Sequence, residues 1–318
     1  MQYGKYRFIC RLESEAVLPF YKGSTFRGIF GHALKRAVCA LRFQECPACI
    51  LRETCLYFQV FENHKPEGRP EDKGAQSRPH PFVIEPPIDG ERRFHPGETF
   101  DCALLLFGET NERLPYFVYA FEQMGKIGIG GRVDGDRGRF VLEEVQAGDR
   151  VLFTEGTRRL LKATVLEILS LSLKVSDMVR EVRVTIETPL RLKFENRLTA
   201  DLPFHLLVRA ALRRVSSLFD AFGEGEPEVD YKGLVKGAET VRVKDSALRW
   251  FDWERYSNRQ NTRMLMGGMI GSITYEGDLG KYLPLLDLAS RVHVGKQTTF
   301  GMGKMGFEVH QPGALLAD

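Results

Sequence analysis

The chain has 318 residues, 43% of them hydrophobic and 27% charged, which is the balance of a folded, water-exposed protein with room for about two domains. Its longest notable apolar run, 102–107, is far short of the ~18 residues that cross a bilayer, and its opening residues lack the apolar stretch of a secretory signal, so no membrane span and a cytoplasmic location are expected. Net charge is 45 − 42 = +3, too small by itself to mark a partner of polyanions.

In chain order, residues 6–13 (YRFICRLE) alternate in the way that predicts a strand. Residues 24–41 have helical periodicity, with Phe26, Phe30, Ala33, Leu34, Ala37 and Leu41 on one side. Residues 63–81 are dense in Pro, Gly and charge and read as a mobile loop. Strands at 82–85 and 99–107, a helix near 114–125 and a strand at 139–142 complete the order βαββαβ. The second half repeats it: strand 182–194, helix 205–222, strands 240–243 and 269–275, helix 281–292, strand 306–310. A weak internal repeat supports duplication, since LPYFVYAFEQMGKIGIGG from Leu114 parallels LPLLDLASRVHVGKQTTFGMG from Leu283. The fold class expected is α+β: two tandem ferredoxin-like (βαββαβ, RRM-like) domains at 1–155 and 181–318, joined by 156–180, with a Cys-rich insertion in the first.

Charge is distributed unevenly. Three windows contain no Asp or Glu: 16–44, with Lys22, Arg27, Lys35, Arg36 and Arg42; 255–275, with Arg259 and Arg263; and 291–307, with Lys296 and Lys304. Each window alone fits an ordinary solvated face, whereas three in a nearly neutral chain fit a phosphate track.

Within the first window, a helical step of about 100° per residue puts Gly28, His32 and Lys35 together, opposite the apolar stripe. His32 is therefore expected at the surface, with either no role or a proton-transfer role. An imidazole can take the proton of a ribose 2′-OH or give one to a leaving 5′-oxygen, with nearby cations stabilising the charged phosphorane.

Cys39, Cys46, Cys49 and Cys55 form C-x6-C-x2-C-x5-C. Four thiolates at that spacing can close a structural zinc site or hold an iron–sulfur cluster, and free thiols are the other reading in a reducing compartment. Cys10 and Cys102 lie in strand-like runs and are expected to be buried.

Gly301-Met-Gly-Lys-Met-Gly306 has the G-x-G-x-x-G spacing, but a strand-like FEVH follows where a dinucleotide site needs a helix. Two readings stand: a tight turn, or a bare backbone at Gly301 and Gly303 that lets phosphates approach while Lys296 and Lys304 supply charge.

Several runs carry a family resemblance. YSNRQ (256–260), MGGMIGSITY (266–275), LPLL (283–286) and HVGKQTTFGMG (293–303), together with LPFYKGSTFRGIFGHAL (18–34) and YFQVFE (57–62), resemble the CRISPR precursor-RNA-processing endoribonucleases of the repeat-associated mysterious protein (RAMP) superfamily. The resemblance implies two ferredoxin-like domains, a glycine-rich loop that touches RNA, and cleavage of CRISPR repeat RNA with no catalytic cofactor. It places His32 as acid or base, with Tyr21 and Lys35 as the nearest matches to a family tyrosine and lysine; the acid-free windows, read as a phosphate track, put RNA contacts at Arg27, Arg36, Arg259, Arg263, Lys296 and Lys304. Some relatives bind RNA without cutting it, as subunits of CRISPR effector complexes, so that alternative stands beside the enzyme, acting as a monomer or homodimer.

Overall fold

The computed structural model describes residues 1–62, 78–162, 166–173, 179–192, 200–257 and 262–310. The chain forms two compact units, Met1–Ile168 with Asp220–Glu224, and Leu169–Phe219 with Gly225–Asp318. Their division falls inside the 156–180 segment. Of the expected mobile loop at 63–81, residues 63–77 lie outside the described residues.

The first unit runs β1 (Gln2–Leu12), β2 (Ala16–Val17), α1 (Gly23–Val38), β3 (Phe82–Glu85), β4 (Arg93–Phe94), β5 (Thr99–Phe107), α2 (Leu114–Ile127), β6 (Ile129–Val133), β7 (Asp136–Gly138), β8 (Phe140–Ala147), β9 (Arg150–Thr154) and β10 (Glu167–Ile168). Its main sheet has the order β3-β5-β1-β8-β9, with β10 also on β1, and every pairing is antiparallel. Stripped to β1, α1, β3, β5, α2 and β8, this is the ferredoxin-like unit. On β1, Tyr6, Phe8, Cys10 and Leu12 are buried while Lys5 and Arg7 point to solvent, the period of two that covers one face of a sheet. Both helices fill that face. Phe30 of α1 lies 5.8 Å from Phe117 and 5.4 Å from Phe121 of α2, and Phe121 stacks on Phe8 at 4.1 Å. Removing a ring so placed typically costs ~3–5 kcal/mol. A small sheet, β4-β2-β6-β7, is an addition with three strands of only two or three residues, too short to read in the sequence.

The second unit runs β11 (Glu181–Leu190), α3 (Phe204–Phe222), α4 (Tyr231–Ala238), β12 (Arg242–Ser246), β13 (Arg249–Ser257), β14 (Thr262–Glu276), α5 (Leu283–Val292) and β15 (Met305–His310). The order β12-β14-β11-β15 is again antiparallel and ferredoxin-like, and β13 extends the sheet by a hairpin onto β14. The tandem α+β architecture expected from the sequence is thus the one observed.

Boundaries differ where local chemistry wins. The helix expected over 24–41 stops at Val38, because Cys39 adopts extended backbone (φ −80°, ψ 113°). The strand expected at 240–243 is displaced to β12 by α4, whose N-terminus is capped by Asp230 accepting from the Gly233 N–H at 2.9 Å. The repeated segments are α2 and α5, the second helix of each ferredoxin-like core: each begins with Leu-Pro, proline being tolerated in a first turn where N–H groups have no helical partner. Among the described residues no helix is long and apolar enough to cross a membrane.

Candidate functional site

α1 buries Phe26, Ile29, Phe30, Ala33 and Leu34, which turns Gly28 and His32 outward. His32 is exposed, and a Cβ built on Gly28 would meet nothing within 4 Å, so the helix backbone is open to approach one turn before the imidazole. Lys35 and Arg36 occupy the last turn, where cations complement the helix dipole. Arg36 is exposed and Lys35 half-buried.

Two aromatic rings flank this helix. The Arg27 guanidinium lies 4.6 Å from the Phe61 ring centre and the Lys35 ammonium 5.4 Å from that of Tyr57. Tyr57 and Phe61 stack at 5.2 Å with planes 8° apart. The approach of Phe61 requires Gly31, since a Cβ there would come within 2.9 Å of the ring. Partial burial works against the Lys35 charge, yet Cys46 and the Tyr57 hydroxyl raise its pKa above the usual lysine value. The Tyr57 hydroxyl is itself raised, mainly by burial and then by Glu62.

Tyr21 sits ahead of α1 and is only 6% exposed. Beside it Lys22 is fully buried, its Nζ 2.8 Å from Asp89 Oδ1. The expected trio therefore divides into an exposed His32, a half-buried Lys35 and a core-side Tyr21.

In the second unit the glycine-rich stretch is a turn laced to β11. The Val294 N–H donates to Gly303 O at 2.9 Å, the Gly303 N–H to Pro189 O at 3.1 Å, and the Lys296 N–H to Arg191 O at 3.1 Å. The Thr188 hydroxyl donates to Gly301 O at 2.7 Å and accepts from the Lys304 N–H at 2.9 Å. Gly301 and Gly303 are buried, so the accessible tip is Lys296 and Gln297. At Gly303, φ is +74° and a Cβ would lie 1.8 Å from the Val294 carbonyl oxygen, which only glycine allows. The Lys304 ammonium is 3.1 Å from Glu187. Arg259 lies outside the described residues, and Arg263 is placed by its backbone alone, opposite Tyr256 in the β13–β14 ladder.

The cysteines carry no disulfide. Cys10 and Cys102 are buried, and burial pushes both thiols up. Among the described residues no three His, Cys, Asp or Glu side chains are gathered as a metal site. Cys39, Cys49 and Cys55 nevertheless line one cleft of about 530 Å³ with Glu53, Arg113 and Tyr116. Cys46 lies toward Lys35; burial raises its thiol and the lysine charge partly offsets this.

Sequence reasoning gave no role to Tyr57, Phe61 or Glu187. The i, i+4 spacing of Tyr57 and Phe61 was a legible sign that both rings share a helical face. Glu187 had no sequence signal, because its partnership with Lys304 depends on pairing across the sheet.

Comparison with known proteins follows the same division. Residues 184–305 match the family model of the CRISPR-associated endoribonuclease Cas6, and residues 1–165 match a family model described as an N-terminal domain. An uncharacterized protein of Archaeoglobus fulgidus is 28% identical over 294 residues, covering 90% of this chain and 91% of that one. A chain of a partial Cas6-RT-Cas1-Cas2 complex superposes with a TM-score of 0.57 at 14% identity, over 99% of this chain but 47% of that one, so this chain spans about half of its length. A Cas6 product complex gives 0.56 at 16% identity over 97% of this chain and 100% of the other. Thermus thermophilus Cas6 gives 0.52 at 15% identity over 96% and 98%. At these identities the structural likeness is one of fold; the match over residues 1–165, half of the chain, makes it a member of the family defined by that N-terminal domain, and residues 184–305 are similar to the CRISPR-associated endoribonuclease Cas6.

Proposed function

We propose that this protein cleaves precursor CRISPR RNA within its repeats, using the exposed His32 on α1 as an acid–base group. The observation that carries the reading is the single face of α1 on which an open backbone at Gly28, the His32 imidazole and the cations Lys35 and Arg36 follow one another. The ribose 2′-OH before the scissile bond attacks the adjacent phosphorus and gives up its proton. The P–O5′ bond breaks and the departing 5′-oxygen takes a proton, leaving a 2′,3′-cyclic phosphate and a 5′-OH. One positioned acid or base contributes ~10²–10⁴-fold, and cations aimed at the phosphorane stabilise the charge that develops there. The nucleophile is the substrate's own hydroxyl and the proton carriers are side chains, so the step runs without metal. A non-catalytic RNA-binding role is disfavoured by the exposure of His32, which a purely structural histidine does not need. Incubating the protein with the repeat RNA of its own genome in EDTA tests the reading.

A structural zinc closed by Cys39, Cys46, Cys49 and Cys55 belongs to the same proposal. Residues 39–55 bury none of their side chains, Phe43 and Ile50 being 103% and 82% exposed, while three of the thiols line one cleft. A segment without a core gains order from a staple, and a metal drawing in the fourth thiolate supplies one. Such a four-thiolate site is closed and takes no part in cleavage.

A further inference from the structure

We infer that Tyr57 is a positioning residue whose ring face fixes the Lys35 ammonium beside His32, so that the cation is in place when charge develops on the scissile phosphate. The inference rests on the cleavage reading given above.

Residues three apart on a helix are surface neighbours, with Cβ atoms about 5–6 Å apart, so Lys35 has the reach to serve a phosphate engaged by His32. A free lysine does this poorly, because its four-carbon stem samples many rotamers and most of them point elsewhere. Here the ammonium rests 5.4 Å from the Tyr57 ring centre. That ring does not drift, because it is stacked on Phe61 at 5.2 Å. Phe61 is in turn anchored in the core, 5.1 Å from Phe82 and 5.9 Å from Phe30. The chain of contacts therefore runs from the sheet of the first unit, through two stacked rings, to the half-buried Lys35 ammonium, which also lies toward Cys46. A cation held in this way costs little reorganisation in the transition state. The cation–π part of the attraction uses the ring quadrupole, which phenylalanine keeps, and the variants below exploit this.

The test is single-turnover cleavage of repeat RNA at saturating protein. Tyr57→Leu should slow cleavage by roughly 3- to 30-fold, the worth of a partly desolvated cation–π contact, with RNA affinity within about twofold. Tyr57→Phe should restore the rate to within about twofold with an unchanged pH profile. In a Lys35→Ala background, Tyr57→Leu should add no further loss, because the two residues act as one unit. Tyr57→Phe as slow as Tyr57→Leu, or an undiminished effect of Tyr57→Leu when Lys35 is absent, would overturn the inference. A readout without RNA separates this from the function itself: the NMR signal of ¹³C-dimethylated Lys35 should be shifted upfield by the ring in wild type and Tyr57→Phe, and not in Tyr57→Leu. No shift in wild type overturns the positioning role while leaving cleavage standing. A shift in a wild-type protein that cuts no repeat RNA overturns the cleavage reading and the role built on it.

Discussion

Lys304 and Glu187 form an ion pair of 3.1 Å at the base of the glycine-rich turn, with both side chains partly exposed. One of the two lysines of that turn is therefore already neutralised, while Lys296 stands exposed at the tip. Lys296→Ala should flatten the slope of log RNA affinity against log salt by about 0.7, the value of one phosphate contact on a single strand. Lys304→Ala should change it less. Glu187→Gln, which releases Lys304, should raise affinity for specific and unrelated RNA alike and steepen the slope by up to about 0.7, because phosphate contacts do not read bases. Filter binding across a salt series checks all three variants.

Substitutions at two glycines have opposite expected outcomes. Gly303→Ala forces a side chain into the Val294 carbonyl oxygen, 1.8 Å away, at a φ of +74°; it should destabilise the second unit by roughly 1–3 kcal/mol or more. Gly28→Ala enters open space on a helix and should stabilise slightly, by about 0.5–1 kcal/mol. If RNA backbone approaches α1 at Gly28, the same alanine should nonetheless weaken binding or cleavage. Thermal melts and cleavage rates on the two variants separate a structural glycine from a contact glycine.

The Tyr6 hydroxyl donates to Asn111 Oδ1 at 3.0 Å, and burial pushes its pKa up to about 12 from 10.0. Tyr6→Phe should cost about 1–3 kcal/mol near neutral pH, because the buried Asn111 oxygen loses a donor. A raised folded pKa means that the stability is present in full below pH 10 and is lost as pH rises through about 12. The difference between wild type and Tyr6→Phe in urea midpoints should therefore hold below pH 10 and shrink above it.

Both ferredoxin-like units were legible because their signal is periodic. The strand β1 and helices α1, α2 and α3 each bury one side, and a period of two or 3.6 survives in a bare sequence. Short or two-residue strands such as β2 and β4 have no period to detect. The β13–β14 hairpin escaped for another reason: its Gly267 and Gly268 interrupt the β-rich pattern, although the backbone pairs throughout. At the site, the exposure of His32 followed from counting positions on a helix. The rings that flank Lys35 and Arg27, and the carboxylate that meets Lys304, are brought in by elements more than 20 residues away, and no local pattern encodes them.

The cysteines give a prediction that needs no RNA. With zinc bound, Cys39, Cys46, Cys49 and Cys55 should resist thiol reagents in the native protein, and elemental analysis should find one zinc per chain. A chelator should make the four reactive and lower the melting temperature, while Cys10 and Cys102, which are buried, should stay silent until unfolding. Four freely titratable thiols in metal-free protein of unchanged melting temperature would contradict the zinc site.

The most direct measurement is single-turnover cleavage of the cognate repeat RNA in EDTA by wild type and His32→Ala, followed by analysis of product ends. The account predicts a cut by wild type that leaves a 2′,3′-cyclic phosphate and a 5′-OH. In His32→Ala the rate should fall by ~10²–10⁴-fold with RNA affinity nearly unchanged. No cleavage by wild type in EDTA, or a His32→Ala rate close to wild type, would contradict it.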